Sequence, residues 1–132
     1  MKIGIILETN DPEKAWNAIR FANTALTKQH EVRLFLMGAG VEAESITHAK
    51  YNVKEQLHTF IDKKGTVLAC GSCIQGRNQA ESAACPISTM LDCLNVVEWA
   101  DKMLTFFLFN QKGKASFPFF FSLLLSFLPA RK

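Results

Sequence analysis

Apolar residues over the first 107 positions follow two alternating rhythms. Compact runs at Lys2–Leu7, Val32–Leu36, Thr66–Ala69 and Met103–Phe106 show little polar alternation, as expected of strands buried on both faces. Between the runs, apolar residues recur at helical spacing. Ala15, Ala18, Ile19, Ala22, Ala25 and Leu26 form one stripe. Asp11 followed by Pro12 supplies an N-cap and a proline at the first helical position, so this helix is expected to run to about Gln29. Val53, Leu57, Phe60 and Ile61 form a second stripe, closed by Lys63, Lys64 and Gly65. Ser88 or Thr89 can cap a last helix with Asp92 in its first turn, and Leu91, Leu94 and Val97 are its expected core positions. Gly38-Ala39-Gly40 and Ala84-Cys85-Pro86 read as breaks.

Strands alternating with helices imply an α/β fold, a parallel sheet with helices on both faces. Residues 1–107 show no internal repeat or linker and are expected to form one domain. Residues 108–132 break the rhythm. Asn110 to Lys114 is polar, and Phe117 to Leu128 is almost wholly apolar, interrupted by Pro118, Ser122 and Ser126. That run is shorter than the ~20 residues of a bilayer-spanning helix. It suits a segment packed on the core or at a subunit interface, or an added extension, better than a membrane anchor.

Charge narrows the partners. The net charge is +3, and the basic residues are scattered without a stripe, so no direct nucleic-acid partner is expected. Ile3 to Leu7 is an apolar run stopped by Glu8, too short for a signal sequence, and a cytoplasmic location is the default expectation. In that compartment, the 4 cysteines point to thiol or metal chemistry rather than structural disulfides.

The chemistry concentrates in Thr66–Arg77. A short buried strand after Gly65 runs into Cys70-Gly71-Ser72-Cys73-Ile74-Gln75. Ser72 and Gln75 have the spacing of a capping box, which predicts Ser72 as N-cap, Cys73 at the first helical position and Cys70 in the preceding turn. Unpaired N–H groups at a helix start favour thiolate over thiol, and the thiolate is the nucleophile. Arg77, about one turn on, adds positive charge if it folds back. In parallel sheets, sites gather at the carboxyl ends of strands, where Cys70 falls. Three chemistries are compatible with this pattern. One is a dithiol–disulfide couple of Cys70 and Cys73. Another is a metal site using Cys70, Cys73, Cys85 and Cys93, whose spacing fits the usual zinc patterns poorly. The third is a persulfide carrier, in which one thiolate accepts a sulfur atom and passes it on. No resident cofactor or metal is expected.

The other candidates are weaker. Gly38-Ala39-Gly40-Val41-Glu42-Ala43 fits G-x-G-x-x-A, but it follows the second strand rather than the first and reads as a turn. His48 and His58 lack ligand spacing and are expected at the surface; His30 suits a helix C-terminus. Glu8 reads as an ordinary loop acid.

The segment Cys70-Gly71-Ser72-Cys73-Ile74-Gln75-Gly76-Arg77 resembles the active loop of the DsrE/DsrF-like family, which includes the TusD-type sulfur-relay subunits. Gly38-Ala39-Gly40-Val41, Ser88-Thr89-Met90 and Ala100-Asp101-Lys102-Met103-Leu104-Thr105-Phe106 match in order, so the resemblance covers residues 1–107. It implies a flavodoxin-like fold, assembly into oligomers, donor and acceptor partner proteins, and a persulfide carried on Cys70. It leaves Cys73 as an auxiliary thiol, because simple carrier subunits lack it. Asn78 stands where many members have glycine after the arginine, and asparagine tolerates left-handed backbone.

Overall fold

A computed structural model describes residues 1–108, and residues 109–132, including the apolar run, lie outside the described residues. The elements are β1 (Lys2–Leu7), α1 (Pro12–Thr27), β2 (Glu31–Leu36), a 3-10 helix (Gly38–Ser45), α2 (Val53–Asp62), β3 (Thr66–Cys70), α3 (Gly71–Gly76), β4 (Ile87–Ser88), α4 (Met90–Trp99) and β5 (Lys102–Phe106). All neighbouring strands pair in parallel, in the order β4-β3-β2-β1-β5. This is a flavodoxin-like α/β sheet.

Side chains alternate across each strand, and the register aligns the alternation. Ile3, Ile5 and Leu7 lie beside Val32, Leu34 and Leu36, and all six are buried. α1 and α2 pack against each other on this layer, so the alanine stripe of α1 brings its helix close to the sheet. Asp11 caps α1 by accepting the N–H of Lys14 at 2.9 Å, with Pro12 inside the first turn. Asn52 caps α2 in the same way through the N–H of Glu55.

The second face carries α4, packed over β1, β2 and β3. Its close approach depends on Gly4. A Cβ there would collide with the Met103 sulfur and press against Val96 Cγ1 at 3.1 Å. That tight fit explains a correction. Leu91, Leu94 and Val97 were expected in the core, but all three are exposed, Leu91 by 65%, and Cys93 and Val96 face the sheet instead. Apolar residues occupy two stripes of α4, and periodicity alone cannot choose between them. The narrow space over Gly4 admits the smaller pair. The leucines, with Met90 and neighbouring Ile87, are left as an exposed apolar patch.

Two boundaries also differ from expectation. The fourth strand of the sequence pattern is β5; the actual β4 is a two-residue edge strand, Ile87–Ser88, too short to leave a periodic signal. Gly38–Ser45 forms a 3-10 helix rather than a simple break. Gly38 enters it at φ +53°, where a side chain would also crowd Glu8.

Candidate functional site

β3 runs into α3 without an intervening turn. Cys70 is still paired with Ser88 of β4, and α3 starts at Gly71. The N-cap is therefore Cys70 rather than Ser72, and no side chain caps α3. The Ser72 hydroxyl is used differently: it lies 3.2 Å from Cys70 Sγ, in hydrogen-bond contact. Sheet pairing holds Cys70 extended up to the first residue of the helix, which displaces the cap by two residues from the Ser72–Gln75 expectation.

Cys70 is buried with only its edge accessible, 4% exposed, and Cys73 is half-buried. Both are free thiols. Burial opposes ionisation of Cys70, but hydrogen bonds from the Ser72 hydroxyl, the Cys73 thiol and the N–H groups of both residues outweigh it and lower its pKa below the usual thiol value. Cys73 moves the other way. Burial and its role as donor to Cys70 raise its pKa, against the N–H of Gly38 and the more distant charge of Arg77. The Gly38 N–H donates to Cys73 Sγ at 3.3 Å. The two thiols are thus shifted in opposite directions, Cys70 toward thiolate and Cys73 toward thiol.

Arg77 closes α3 as its C-cap. Its Nε lies 3.6 Å from Glu42 Oε1, and Glu42 Oε2 accepts a hydrogen bond from Asn10 Nδ2 at 2.6 Å. Its charge acts on Cys73, whereas the shift of Cys70 has no contribution from it. Asn78 follows at φ +50°, the left-handed conformation expected of it. Sequence reasoning missed Glu42, Asn10 and the donor role of Gly38, because each acts across a distance in the chain that no local motif records.

The two remaining cysteines are held as thiols. Burial and the Glu44 carboxylate push Cys85 up to about 11. Cys85 lines a cavity of about 260 Å³ together with Val41, Glu44, Lys54 and Ser82. Burial, then the charge of Cys70, raises Cys93. Among the described residues, no three His, Cys, Asp or Glu side chains cluster as a metal site. The histidines have other partners: His48 accepts N–H bonds from Lys50 and Tyr51, His58 pairs with Glu44 at 3.4 Å, and His30 meets the Met1 amine. Glu8 is exposed at the end of β1, beside Gly38.

A parallel α/β sheet that delivers a hydrogen-bonded, low-pKa cysteine from a strand end into a helix defines the class: a thiol-bearing protein of flavodoxin-like fold. The chain belongs to the DsrE/DsrF-like family, whose model matches residues 1–106. It is 33% identical to protein MJ0989 of Methanocaldococcus jannaschii over 115 residues, covering 80% of this chain and 100% of that protein. Protein MK0008 of Methanopyrus kandleri is also 33% identical, over 100 residues that cover 71% of this chain and 83% of that one. Among solved structures, the ychN protein from E. coli matches with a TM-score of 0.70 and 25% identity, over 80% of this chain and 100% of its own. BT1422 from Bacteroides thetaiotaomicron shares the fold, with a TM-score of 0.64 and 16% identity over 79% of this chain and 93% of its own.

Proposed function

We propose that this protein is a sulfur-relay component of the TusD type that carries a persulfide on Cys70. The observation that carries the reading is the free Cys70 thiol at the β3–α3 junction, with the Ser72 hydroxyl 3.2 Å from its sulfur, within a DsrE/DsrF-like domain. The Cys70 thiolate attacks the outer sulfur of a donor persulfide. The donor thiolate leaves, and Cys70 keeps the transferred sulfur as a persulfide. An acceptor thiolate then takes that sulfur and restores Cys70. Intact-mass spectrometry after incubation with a persulfide donor, followed by peptide mapping, tests this. The expected result is a gain of one sulfur on the Cys70 peptide and none in Cys70→Ser. Uptake retained by Cys70→Ser would overturn the assignment.

A second reading rests on the Cys73 contact. Cys73 can attack Cys70 Sγ of the persulfide, giving a Cys70–Cys73 disulfide and hydrosulfide, with an external dithiol needed to reset the pair. Recovery of that disulfide in place of the sulfur adduct would favour it over the carrier.

The donor and acceptor are proteins in this reading, the working location is cytoplasmic, and the domain is residues 1–107. No helix among the described residues is long and apolar enough to cross a membrane. The exposed patch of Met90, Leu91, Leu94 and Val97 supports assembly of like chains through α4. Leu94→Asp is expected to reduce the mass measured by sedimentation to that of a smaller species. An unchanged mass would exclude this face from assembly.

A further inference from the structure

The cavity beside Cys85 has no part in the sulfur transfer described above. Three pieces of chain wall it: the 3-10 helix with Val41 and Glu44, the first turn of α2 with Lys54, and the segment between α3 and β4 with Ala80, Ser82 and Cys85. The 3-10 helix follows β2, and α2 begins over the same edge of the sheet. Crevices outside the carboxyl ends of parallel strands are where α/β sheets bind ligands. Size restricts what fits. A volume of about 260 Å³ is below the ~300–1,000 Å³ of pockets for drug-sized molecules. At ~30 Å³ per water it holds roughly nine water-sized groups, too few for a nucleotide or a flavin.

The charges in the cavity are opposite and stand apart. Glu44 is held in place, with one carboxylate oxygen taking the Ser82 hydroxyl and the other facing His58 Nε2 at 3.4 Å. Ser82 is fixed in turn, because its hydroxyl accepts the N–H of Cys85 at 3.1 Å. Lys54 lines the same cavity. Among the described residues the ion pairs are His58–Glu44 and Arg77–Glu42, and Lys54 joins neither. A simple anion in this space would meet the Glu44 carboxylate, and a simple cation would meet the Lys54 ammonium. A molecule carrying both charges suits both walls. Its carboxylate can accept from the three donors of the ammonium, and its own ammonium can donate to the lone pairs left on Glu44. Val41 and Cys85 are buried, and with Ala80 they give the cavity an apolar lining between the charged walls. We propose that this cavity binds a free α-amino acid, with its carboxylate at Lys54, its ammonium at Glu44 and a short apolar side chain against Val41 and Cys85. The site goes beyond the sulfur-relay reading and does not rest on it.

Isothermal titration calorimetry of the full chain with L-alanine, L-serine and L-methionine tests it. These probes fit the size and carry no thiol to react with Cys70. Saturable binding of at least one is expected. Lys54→Gln should weaken that binding about tenfold or more, the scale of a lost hydrogen bond to a charged group. The amide of the same amino acid lacks the carboxylate and should bind the parent about tenfold more weakly, with no further loss in Lys54→Gln. The N-acetyl form lacks the ammonium and should lose a similar factor in the parent. Glu44→Gln should weaken the free amino acid and spare the N-acetyl form. Glu44 also ties Ser82 in place, so if that variant fails to fold, Lys54→Gln and the two analogues still decide. Absence of saturable binding by all three amino acids would overturn the proposal. So would an affinity unchanged in Lys54→Gln, or an amide that binds the parent as tightly as the free amino acid.

Discussion

Two helices of this protein start at the carboxyl edge of the sheet, next to adjacent strands, and they start in opposite ways. α4 opens with a complete capping box. Thr89 Oγ1 accepts the N–H of Asp92, and the Asp92 carboxylate accepts the N–H of Thr89 at 2.7 Å. α3 opens with no side-chain cap, and the hydroxyl best placed to provide one contacts Cys70 Sγ instead. Free N–H groups at a helix end are a cost when nothing fills them and a resource when a thiolate does. The first helix start closes on itself and serves stability. The second stays open, with its hydroxyl turned to the Cys70 sulfur.

The comparison can be sharpened by removing each cap-like hydroxyl. Ser72→Ala takes away a hydrogen bond to a charged sulfur, worth about 1.5–3 kcal/mol, so the pKa of Cys70 should rise. Alkylation of Cys70 below its pKa is expected to slow by roughly tenfold or more, with the whole pH profile displaced upward. Little change in melting temperature should accompany it. A profile that stays in place would mean that the hydroxyl is a bystander.

Thr89→Ala should do the reverse. It is expected to cost about 1 kcal/mol of stability, the usual value of a lost N-cap, and to leave the Cys70 profile untouched. A shift in thiol reactivity there would break the division between the two helix starts. Chemical denaturation and alkylation on the same samples separate the outcomes.

The smallest effect is in acid. Backbone and side-chain hydrogen bonds from Thr89 lower the pKa of Asp92 below its ordinary 3.8. A carboxylate with a depressed folded pKa contributes stability above its unfolded pKa and loses it as pH falls through the folded one. The stability difference between the parent and Asp92→Asn should therefore be present at neutral pH and shrink as the pH falls below about 4. A difference that persists unchanged in acid would argue against a charged cap.

Much of this was legible in the chain. The apolar runs of β1, β2 and β3 and the stripes of α1 and α2 read correctly because each element is long enough to repeat its own period. Asp11-Pro12 and Thr89 with Asp92 read correctly because a cap is a contact between residues a few positions apart. The position of Cys70 at a strand end was legible for the same reason. The phase of α4 was not, because two apolar stripes compete, and the choice belongs to Gly4 on another element. The cap of α3 was misplaced because pairing between Cys70 and Ser88 carries the strand up to the helix.

The sequence by itself determined the alternating α/β order, the helix starts that rest on local caps, and the placement of two cysteines at a strand-to-helix boundary. These depend on interactions within a few residues, where side-chain type dictates backbone geometry. Only the tertiary structure decided that Cys70 ionises ahead of Cys73, that Arg77 answers to Glu42 and Asn10, and that Gly38 donates to the second thiol. Those outcomes depend on burial and on partners remote in the chain, and neither exists until the sheet has closed.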